Sequence, residues 1–173
     1  EIFSSTIDKF SYEDCPGHPT WMEPCEWLGA ESVKKYPLHL ITNQPKTRLH
    51  SQYDNGGYSL ENKIREREPV SINPKDAVTR GISDGDIVRL FNDRGACLAG
   101  VIVTEDVMPG VVQLSTGAWY DPLVPGEIGS VDVHGNPNVL TIDKGTSKLA
   151  QGPSAMSALM IVPLAPLESV IVT

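Results

Sequence analysis

The chain has 173 residues, of which 40% are hydrophobic and 21% are charged, the proportions of a soluble globular protein with one well-packed domain. Its formal net charge of −8 argues against general nucleic-acid binding, which needs a basic footprint. No uninterrupted apolar run approaches the roughly 18 residues of a membrane-spanning helix. Three cysteines at irregular spacing do not predict a disulfide scaffold.

Residues 1–36 are predicted to form an extended lead-in arm. They carry a net charge of −4, have weak hydrophobic periodicity, and are interrupted by Pro16, Pro19 and Pro24. The sequence begins at Glu1 without a signal-peptide pattern, which indicates a processed protein or a piece of a longer one. The compartment is therefore unknown from the sequence.

The arm carries three possible zinc ligands, Cys15, His18 and Cys25. No second paired Cys or His motif completes a tetrahedral site. The favoured interpretation is that the arm packs across another surface through large apolar side chains. These are Trp21, Met22 and Trp27.

Residues 37–163 are predicted to form one β-rich domain, followed by a C-terminal tail at 164–173. Short apolar runs predict strands at 38–42, 70–72, 87–91, 97–103, 111–114, 139–142 and 158–162. The turn sequence Asn92-Asp93-Arg94-Gly95 joins two of these strands into a hairpin. Many short strands between Gly and Pro turns are typical of an all-β fold closed, or nearly closed, into a barrel.

A few short helices are predicted between the strands. Residues 74–80 predict a helix with Pro74 in its first turn and Gly81 as its C-terminal stop. Helical turns are also predicted within residues 61–68 and 146–151.

The first polar loop, residues 42–52, is a candidate ligand site. It lies in the segment 43–81, which carries seven Lys and Arg against five Asp and Glu, a net +2 inside an acidic chain, and this suits a small anionic ligand. Arg48 offers a planar fork for phosphate, and Lys46 a point charge. Neutral donors and acceptors that could bind a heterocycle or ribose are Thr42, Asn43, Gln44, His50, Ser51 and Gln52. The alternative is a solvated loop capped by its own side chains.

The second polar loop, residues 134–154, has a similar composition. Its neutral polar residues are Asn136, Asn138, Thr146, Ser147, Gln151 and Ser154, and glycines allow close backbone approach. The alternative is a set of Asx turns and helix caps. The sequence contains no Walker A loop, no dinucleotide fingerprint and no nucleophile-elbow motif. Cys97 lies in an apolar strand, where packing is the favoured role. The residues therefore indicate a binding domain without visible catalytic machinery.

Three segments of the sequence together resemble a known domain. They are KYPLHLITNQPKTRLHSQ at 35–52, a segment from REPVSIN to GAWYDP at 67–122, and HGNPNVLTIDKGTSKLAQGPSA at 134–155. They resemble the C-terminal domain of the dimethyl sulfoxide reductase family of molybdenum enzymes, in particular the trimethylamine N-oxide and biotin sulfoxide reductase group. DCPGHPTWMEPCEWLG at 14–29 resembles the lead-in to that domain, so the resemblance covers nearly the whole chain.

The resemblance implies a double-psi β-barrel that binds molybdopterin guanine dinucleotide. In that family two such dinucleotides hold one molybdenum, and the enzyme removes an oxygen atom from an N-oxide or S-oxide to form water. The cofactor-binding residues implied by the resemblance are Thr42, Asn43, Arg48, His50, Ser51, Gln52, Asn138, Gln151 and Ser154. Asn136 and Trp119 are further candidates.

The chain is much shorter than a complete family member, in which the molybdenum ligand lies in earlier domains. The resemblance therefore implies that the chain is inert alone, that its partner is the rest of a parent reductase, and that the oxide substrate binds elsewhere. One alternative is a stand-alone double-psi barrel that acts as a protein-interaction module. Another is a small self-processing enzyme that uses Gly129-Ser130. The cofactor hypothesis requires the two polar loops to lie at the same end of the barrel.

Overall fold

A computed structural model of the chain describes residues 3–152 and 157–164. The strands in these ranges are β1 Leu38–Ile41, β2 Pro69–Ile72, β3 Ile87–Phe91, β4 Ala96–Val103, β5 Val111–Leu114 and β6 Ser157–Met160. The helices are α1 Ser5–Asp8, α2 Gly57–Glu61 and α3 Pro74–Arg80, with 3-10 turns at Glu31–Lys34 and Pro137–Val139. The strands thus follow the apolar runs, with one exception described below.

The six strands form a closed barrel. Their order is β3-β4-β2-β5-β1-β6, and isolated bridges pair β3 with the segment that follows β6, joining Phe91 to Ile161 and Val88 to Leu164. Phe91 N–H donates to Ile161 O at 3.1 Å, and Ile161 N–H donates back at 3.0 Å. These contacts close the sheet on itself along β3.

The strand directions place the connecting segments at two opposite ends. β1 runs parallel to β5 and β2 runs parallel to β4, whereas the other neighbours are antiparallel. β1, β3 and β5 therefore finish at the end where β2, β4 and β6 begin. We call this end the loop end, since the first polar loop follows β1 there and the second precedes β6. The opposite end carries α3.

The barrel interior is filled by alternate residues of the strands. Leu38 and Leu40 of β1 are fully buried, whereas Ile41 is exposed, as expected for a strand with one face on the core. Each such leucine contributes about 1.5–3 kcal/mol through burial. Cys97 lies in the same core and is fully buried, so packing is its role in the fold.

The helix α3 closes the end opposite the loop end and forms as its local sequence predicts. The Asn73 side chain accepts a hydrogen bond from Lys75 N–H at 3.0 Å, and Pro74 occupies the first turn, where no N–H is needed. Gly81 ends the helix at φ 65°, in the left-handed region that glycine adopts without strain. Asn73 Nδ2 also donates to Val107 O at 2.7 Å, which ties the helix to the segment before β5.

Three elements differ from the sequence prediction, one of which is the helical turn predicted within 146–151, where none of the residues is helical. The strand predicted at 139–142 is wrong, because this region starts in the 3-10 turn Pro137–Val139. Pro137 has no N–H for a sheet ladder, and the Asn136 side chain caps Asn138 N–H at 3.0 Å. The helical turn predicted within 61–68 instead lies at Gly57–Glu61.

The lead-in arm is tied to the outer wall of the barrel by Glu26. One Glu26 oxygen accepts from Arg94 Nη1 at 2.5 Å, and the other accepts from Arg94 Nη2 at 2.9 Å and from Leu159 N–H at 2.8 Å. The arm is otherwise irregular, apart from α1 and the turn Glu31–Lys34. Apart from Leu164, the predicted tail at 164–173 lies outside the described residues.

Candidate cofactor-binding site

The two polar loops lie at the same end of the barrel. Glu68 N–H, at the start of β2, donates to His134 O at 2.9 Å, which holds the beginning of the second loop beside that strand. Thr116 N–H, just after β5, donates to Asn43 O of the first loop at 2.9 Å. The geometry that the cofactor hypothesis requires is therefore present.

The backbone of the first loop is fixed against the segment that leaves β5. Gly117, at φ 88°, packs so closely that a Cβ there would lie 2.1 Å from His50 O. His50 itself adopts φ 50°. Trp119 Nε1–H donates to Ser51 O at 2.8 Å. The side chains of His50 and Ser51 are exposed, whereas their carbonyl groups contact the segment that follows β5.

A cluster of four buried charges lies beneath this loop. Arg48, Asp54, Lys63 and Glu68 have side chains that are at most 4% exposed. Lys63 Nζ donates to Asp54 Oδ1 at 2.8 Å and to Glu68 Oε2 at 2.9 Å. Arg48 Nη1 lies 3.1 Å from both Glu68 oxygens, and Arg48 Nε forms an ion pair with Asp54 Oδ1 at 3.3 Å. Two cations thus neutralise two carboxylates, which is the condition for burying charge at moderate cost.

Asp54 also contacts the second loop. His134 Nε2 lies 2.9 Å from Asp54 Oδ2, and Trp119 N–H donates to the same oxygen at 2.8 Å. Burial raises the pKa of Asp54, but hydrogen bonds from Lys63 and the Trp119 amide, with the charges of Lys63 and Arg48, outweigh burial and hold the pKa below its ordinary value. The carboxylate is therefore ionised, and His134 Nε2 carries the proton of the shared hydrogen bond.

These contacts change how Arg48 can act in the site. The sequence presents it as an anchor for phosphate, whereas in the structure its guanidinium is 1% exposed and engaged with Asp54, Glu68 and the Thr116 carbonyl. Lys46, two residues earlier, is exposed and presents its charge to solvent. A direct contact between Arg48 and a cofactor stays a prediction.

The remaining predicted residues of the first loop line its open side. Thr42 and Asn43 are partly buried, whereas Gln52, like His50 and Ser51, is exposed. Asn43 Oδ1 accepts from Ser115 Oγ at 3.2 Å and its Nδ2 donates to Gln44 O at 2.9 Å. The loop therefore combines a held backbone with outward-facing polar side chains.

The second loop is supported from two sides. Asp132, fully buried, accepts hydrogen bonds from the amides of Asp121, Gly135 and Asn136 at 2.7–2.8 Å. Burial raises the pKa of this carboxyl above its ordinary value in spite of those three amides. Asn92 of the β3–β4 turn donates to Leu140 O at 2.8 Å.

Asn138 and Gln151 are exposed and hydrogen-bond within their own segment. Asn138 N–H donates to Asn136 Oδ1, and Gln151 Nε2–H donates to Ser147 O at 2.8 Å. Asn136 is buried. Ser154 lies outside the described residues. Cofactor contacts from these residues stay predictions.

An open cleft of about 620 Å³ lies beside the first loop. Its floor is the outer wall of β2, β4 and β5, with Ser71, Ile102 and Gln113 facing it, and its rim includes Asn43, Lys46 and Thr47. A cleft of this size falls within the range of small-molecule and cofactor sites, and half of the residues that line it carry neutral hydrogen-bonding side chains.

No helix within residues 3–152 and 157–164 is long and apolar enough to cross a membrane. Within those same ranges, no three or more His, Cys, Asp or Glu side chains are grouped so as to hold a metal ion.

Residues 38–159 match the family model described as the Molydopterin dinucleotide binding domain. Because this match covers well over half of the chain, the chain belongs to that family. The predicted cofactor class, a molybdopterin dinucleotide, is confirmed by the same match.

Similar curated proteins are reductases of much greater length. The chain is 54% identical over 154 residues to the dimethyl sulfoxide/trimethylamine N-oxide reductase of Cereibacter sphaeroides, covering 88% of this chain and 18% of that protein. It is 51% identical to the trimethylamine-N-oxide reductase of Haemophilus influenzae, covering 89% of this chain and 19% of that protein. Trimethylamine-N-oxide reductase 1 of Escherichia coli (strain K12) is 49% identical, with 92% and 19% covered. The chain thus spans about a fifth of the length of these relatives.

A solved structure shows the same fold at low identity. Acetylene hydratase from Pelobacter acetylenicus superposes with a TM-score of 0.76, covering 95% of this chain and 23% of that chain, at 19% identity. The predicted fold class, an all-β double-psi β-barrel with short helices and long polar loops, is confirmed.

Proposed function

We propose that this chain is the cofactor-binding domain of a molybdenum oxo-transfer reductase that acts on N-oxides or S-oxides. Its two polar loops bind molybdopterin guanine dinucleotide at the loop end of the barrel. The observation that carries the proposal is the convergence of both loops on one end, where Glu68 and Asp54 hold His134 beside the first loop.

The donor set at this end fits a dinucleotide. Lys46 supplies an exposed positive charge for the pyrophosphate, and outward-facing side chains supply neutral donors and acceptors for guanine, ribose and pterin. The residues proposed to bind the cofactor are Thr42, Asn43, Arg48, His50, Ser51, Gln52, Asn138, Gln151 and Ser154. In this set Arg48 acts by shaping the loop from beneath, since its guanidinium is committed to Asp54 and Glu68.

The reaction belongs to a longer protein. The molybdenum held by the cofactor supplies the redox chemistry when it is bound, and the chain's own residues bind and orient the dinucleotide. The proposed partner is the rest of the parent reductase, which supplies the metal ligand and the oxide site. The relatives support a longer parent chain, since this chain covers 18–19% of their length.

Nucleotide titration of the 173-residue chain tests the proposal. Guanosine diphosphate, which carries the guanine, ribose and pyrophosphate of the cofactor, is expected to bind more tightly than adenosine diphosphate. Gln52→Ala and Asn138→Ala are each expected to weaken binding of guanosine diphosphate by about 3- to 10-fold, the effect of one lost hydrogen bond.

The matched control is Lys75→Ala in α3, at the opposite end of the barrel, which is expected to leave binding unchanged. Amide chemical shifts recorded during the titration locate the ligand. Equal affinity for the two nucleotides, or shifts confined to the α3 end, would contradict the proposal.

A further inference from the structure

One buried carboxylate joins four separate segments of the loop end. Asp54 Oδ1 contacts Lys63 Nζ at 2.8 Å and Arg48 Nε at 3.3 Å. Asp54 Oδ2 contacts His134 Nε2 and the Trp119 amide at 2.9 and 2.8 Å. Arg48 belongs to the first loop, Lys63 follows α2, Trp119 follows β5, and His134 begins the second loop. Asp54 is therefore the point at which these segments meet.

Asp54 lies beneath the surface on which a ligand would rest. The residue is 0% exposed, whereas its neighbours on the open side, Ser51 and Gln52, are exposed. Every contact in the preceding paragraph is to a side chain or amide of this chain. Asp54 can therefore influence a bound ligand only through the groups that it holds.

The contacts around Asp54 continue to the exposed part of the first loop. Trp119, whose amide Asp54 accepts, donates from its indole to Ser51 O at 2.8 Å. Arg48 donates to Thr116 O at 3.2 Å, and Thr116 N–H donates to Asn43 O at 2.9 Å. The first route consists of hydrogen bonds and the second of the Arg48–Asp54 ion pair followed by hydrogen bonds, and both end on carbonyl groups of residues proposed to bind the cofactor.

We infer that Asp54 is a positioning residue for the candidate cofactor site, which sets the first polar loop, the segment after β5 and the start of the second polar loop in one arrangement. The inference rests on the proposed function for the identity of the ligand. It assigns a role to a residue that the sequence presents only as part of the turn Asp54-Asn55-Gly56-Gly57.

Asp54→Asn is the informative substitution because it keeps the shape of the side chain. A carboxylate accepts at both oxygens, whereas an amide accepts at only one. If the amide oxygen faces Lys63 and Arg48, then His134 and the Trp119 N–H lose their acceptor. If it faces His134 and Trp119, then its NH₂ group points at two cations. Either orientation therefore removes the favourable contacts of one of the two side-chain oxygens of Asp54.

The first readout needs no ligand. Hydrogen exchange of the Trp119 and Thr116 amides is expected to be at least about tenfold faster in Asp54→Asn than in the wild-type chain. His134→Ala removes one of the four partners and is expected to accelerate exchange of the Trp119 amide. His134→Gln, which keeps a donor N–H, is expected to restore most of the protection. The two His134 variants provide the test even where Asp54→Asn does not fold.

The second readout is the affinity for guanosine diphosphate. Asp54→Asn and His134→Ala are expected to weaken binding by about tenfold, the size of effect typical of removing a group that orients a ligand-contacting residue. Asp76→Asn is the matched control, because Asp76 Oδ2 accepts from Gly110 N–H at 2.7 Å near the opposite end of the barrel. It is expected to lower stability without changing exchange at Trp119 or nucleotide affinity.

The outcomes separate this inference from the proposed function. Unchanged exchange at Trp119 and Thr116 in both Asp54→Asn and His134→Ala overturns the inference, whatever the nucleotide affinity. Faster exchange with unchanged affinity overturns the assignment of Asp54 to the ligand site. A wild-type chain that binds no guanosine diphosphate contradicts the proposed function, and faster exchange in the variants would then still support the junction at Asp54.

Discussion

Lys63 is a cation held between two buried carboxylates, and its removal has a calculable consequence. Its side chain is 1% exposed and contacts Asp54 at 2.8 Å and Glu68 at 2.9 Å. Lys63→Met keeps the aliphatic stem but leaves Arg48 alone to neutralise two carboxylates. Breaking a buried ion pair in this way costs about 3–5 kcal/mol. We expect the free energy of unfolding, measured in urea, to fall by about 3 kcal/mol.

Two further variants make this prediction specific. Lys75→Met, an exposed position on α3, is expected to change stability by less than about 0.5 kcal/mol. The double substitution Lys63→Met with Glu68→Leu restores a neutral cluster of Arg48 and Asp54, and is expected to recover part of the loss. If Lys63→Met lowers the free energy of unfolding by less than about 1 kcal/mol, the prediction is contradicted, and water or a rearrangement of the cluster must stabilise the two carboxylates.

At the scale of the element, Glu26 is one of the residues that tie the lead-in arm to the barrel. Glu26 holds both Arg94 nitrogens and the Leu159 amide. Burial raises the pKa of Glu26, but hydrogen bonds from Arg94 and Leu159 outweigh burial and place the pKa below its ordinary value of 4.5. A carboxyl whose pKa is lower in the folded state stabilises the fold above the unfolded-state pKa, and this contribution is lost as the pH falls through the folded-state pKa.

Glu26→Gln is therefore expected to lower the free energy of unfolding by about 1 kcal/mol at neutral pH, since the pair is partly exposed. The difference from wild type is expected to shrink as the pH falls below 4.5. Urea unfolding at a series of pH values measures it, and Glu23→Gln in the same arm is the control. A difference that stays constant down to the most acid pH would contradict a role for the Glu26 charge.

The elements that the sequence predicts best are those whose signals are local. The helix Pro74–Arg80 has its cap, first-turn proline and terminal glycine within nine residues, and the β3–β4 hairpin has its turn between its strands. The order of the other strands is not predictable in this way, because β1 pairs with β5 and β6, far along the chain. The strand predicted at 139–142 shows that a local signal can also mislead, since this apolar run follows Pro137 and begins in a 3-10 turn.

The candidate site shows the same difference between residues with local sequence signals and residues whose contacts are distant in sequence. Composition identifies both polar loops, because amides and hydroxyls are concentrated in them. It does not identify the buried residues whose contacts tie the loops to the barrel, which are Asp54, Lys63, Glu68 and Asp132. Asp54 and His134 are 80 positions apart, and nothing local to either predicts their contact. The charged stretch 61–68 predicts helical turns, whereas Lys63 and Glu68 lie outside α2 and their side chains are buried.

At the scale of the whole molecule, the two ends of the barrel have different roles. Alternating strand directions gather both polar loops, the β3–β4 turn and the segment after β5 at the loop end, whereas α3 and its caps close the other end. We propose that the loop end is where this domain and the rest of a parent reductase enclose the cofactor.

This arrangement predicts that binding and turnover can be separated. The chain covers 18–19% of its reductase relatives, and the metal ligand and oxide site are assigned to the remainder. We expect the isolated chain to bind guanosine diphosphate and yet to show no oxidation of reduced viologen with trimethylamine N-oxide. A full-length reductase relative, assayed in parallel at equal molar concentration, is the positive control. Turnover by the isolated chain that scales with its concentration would show that the catalytic centre lies within these 173 residues, contrary to its assignment to a longer protein.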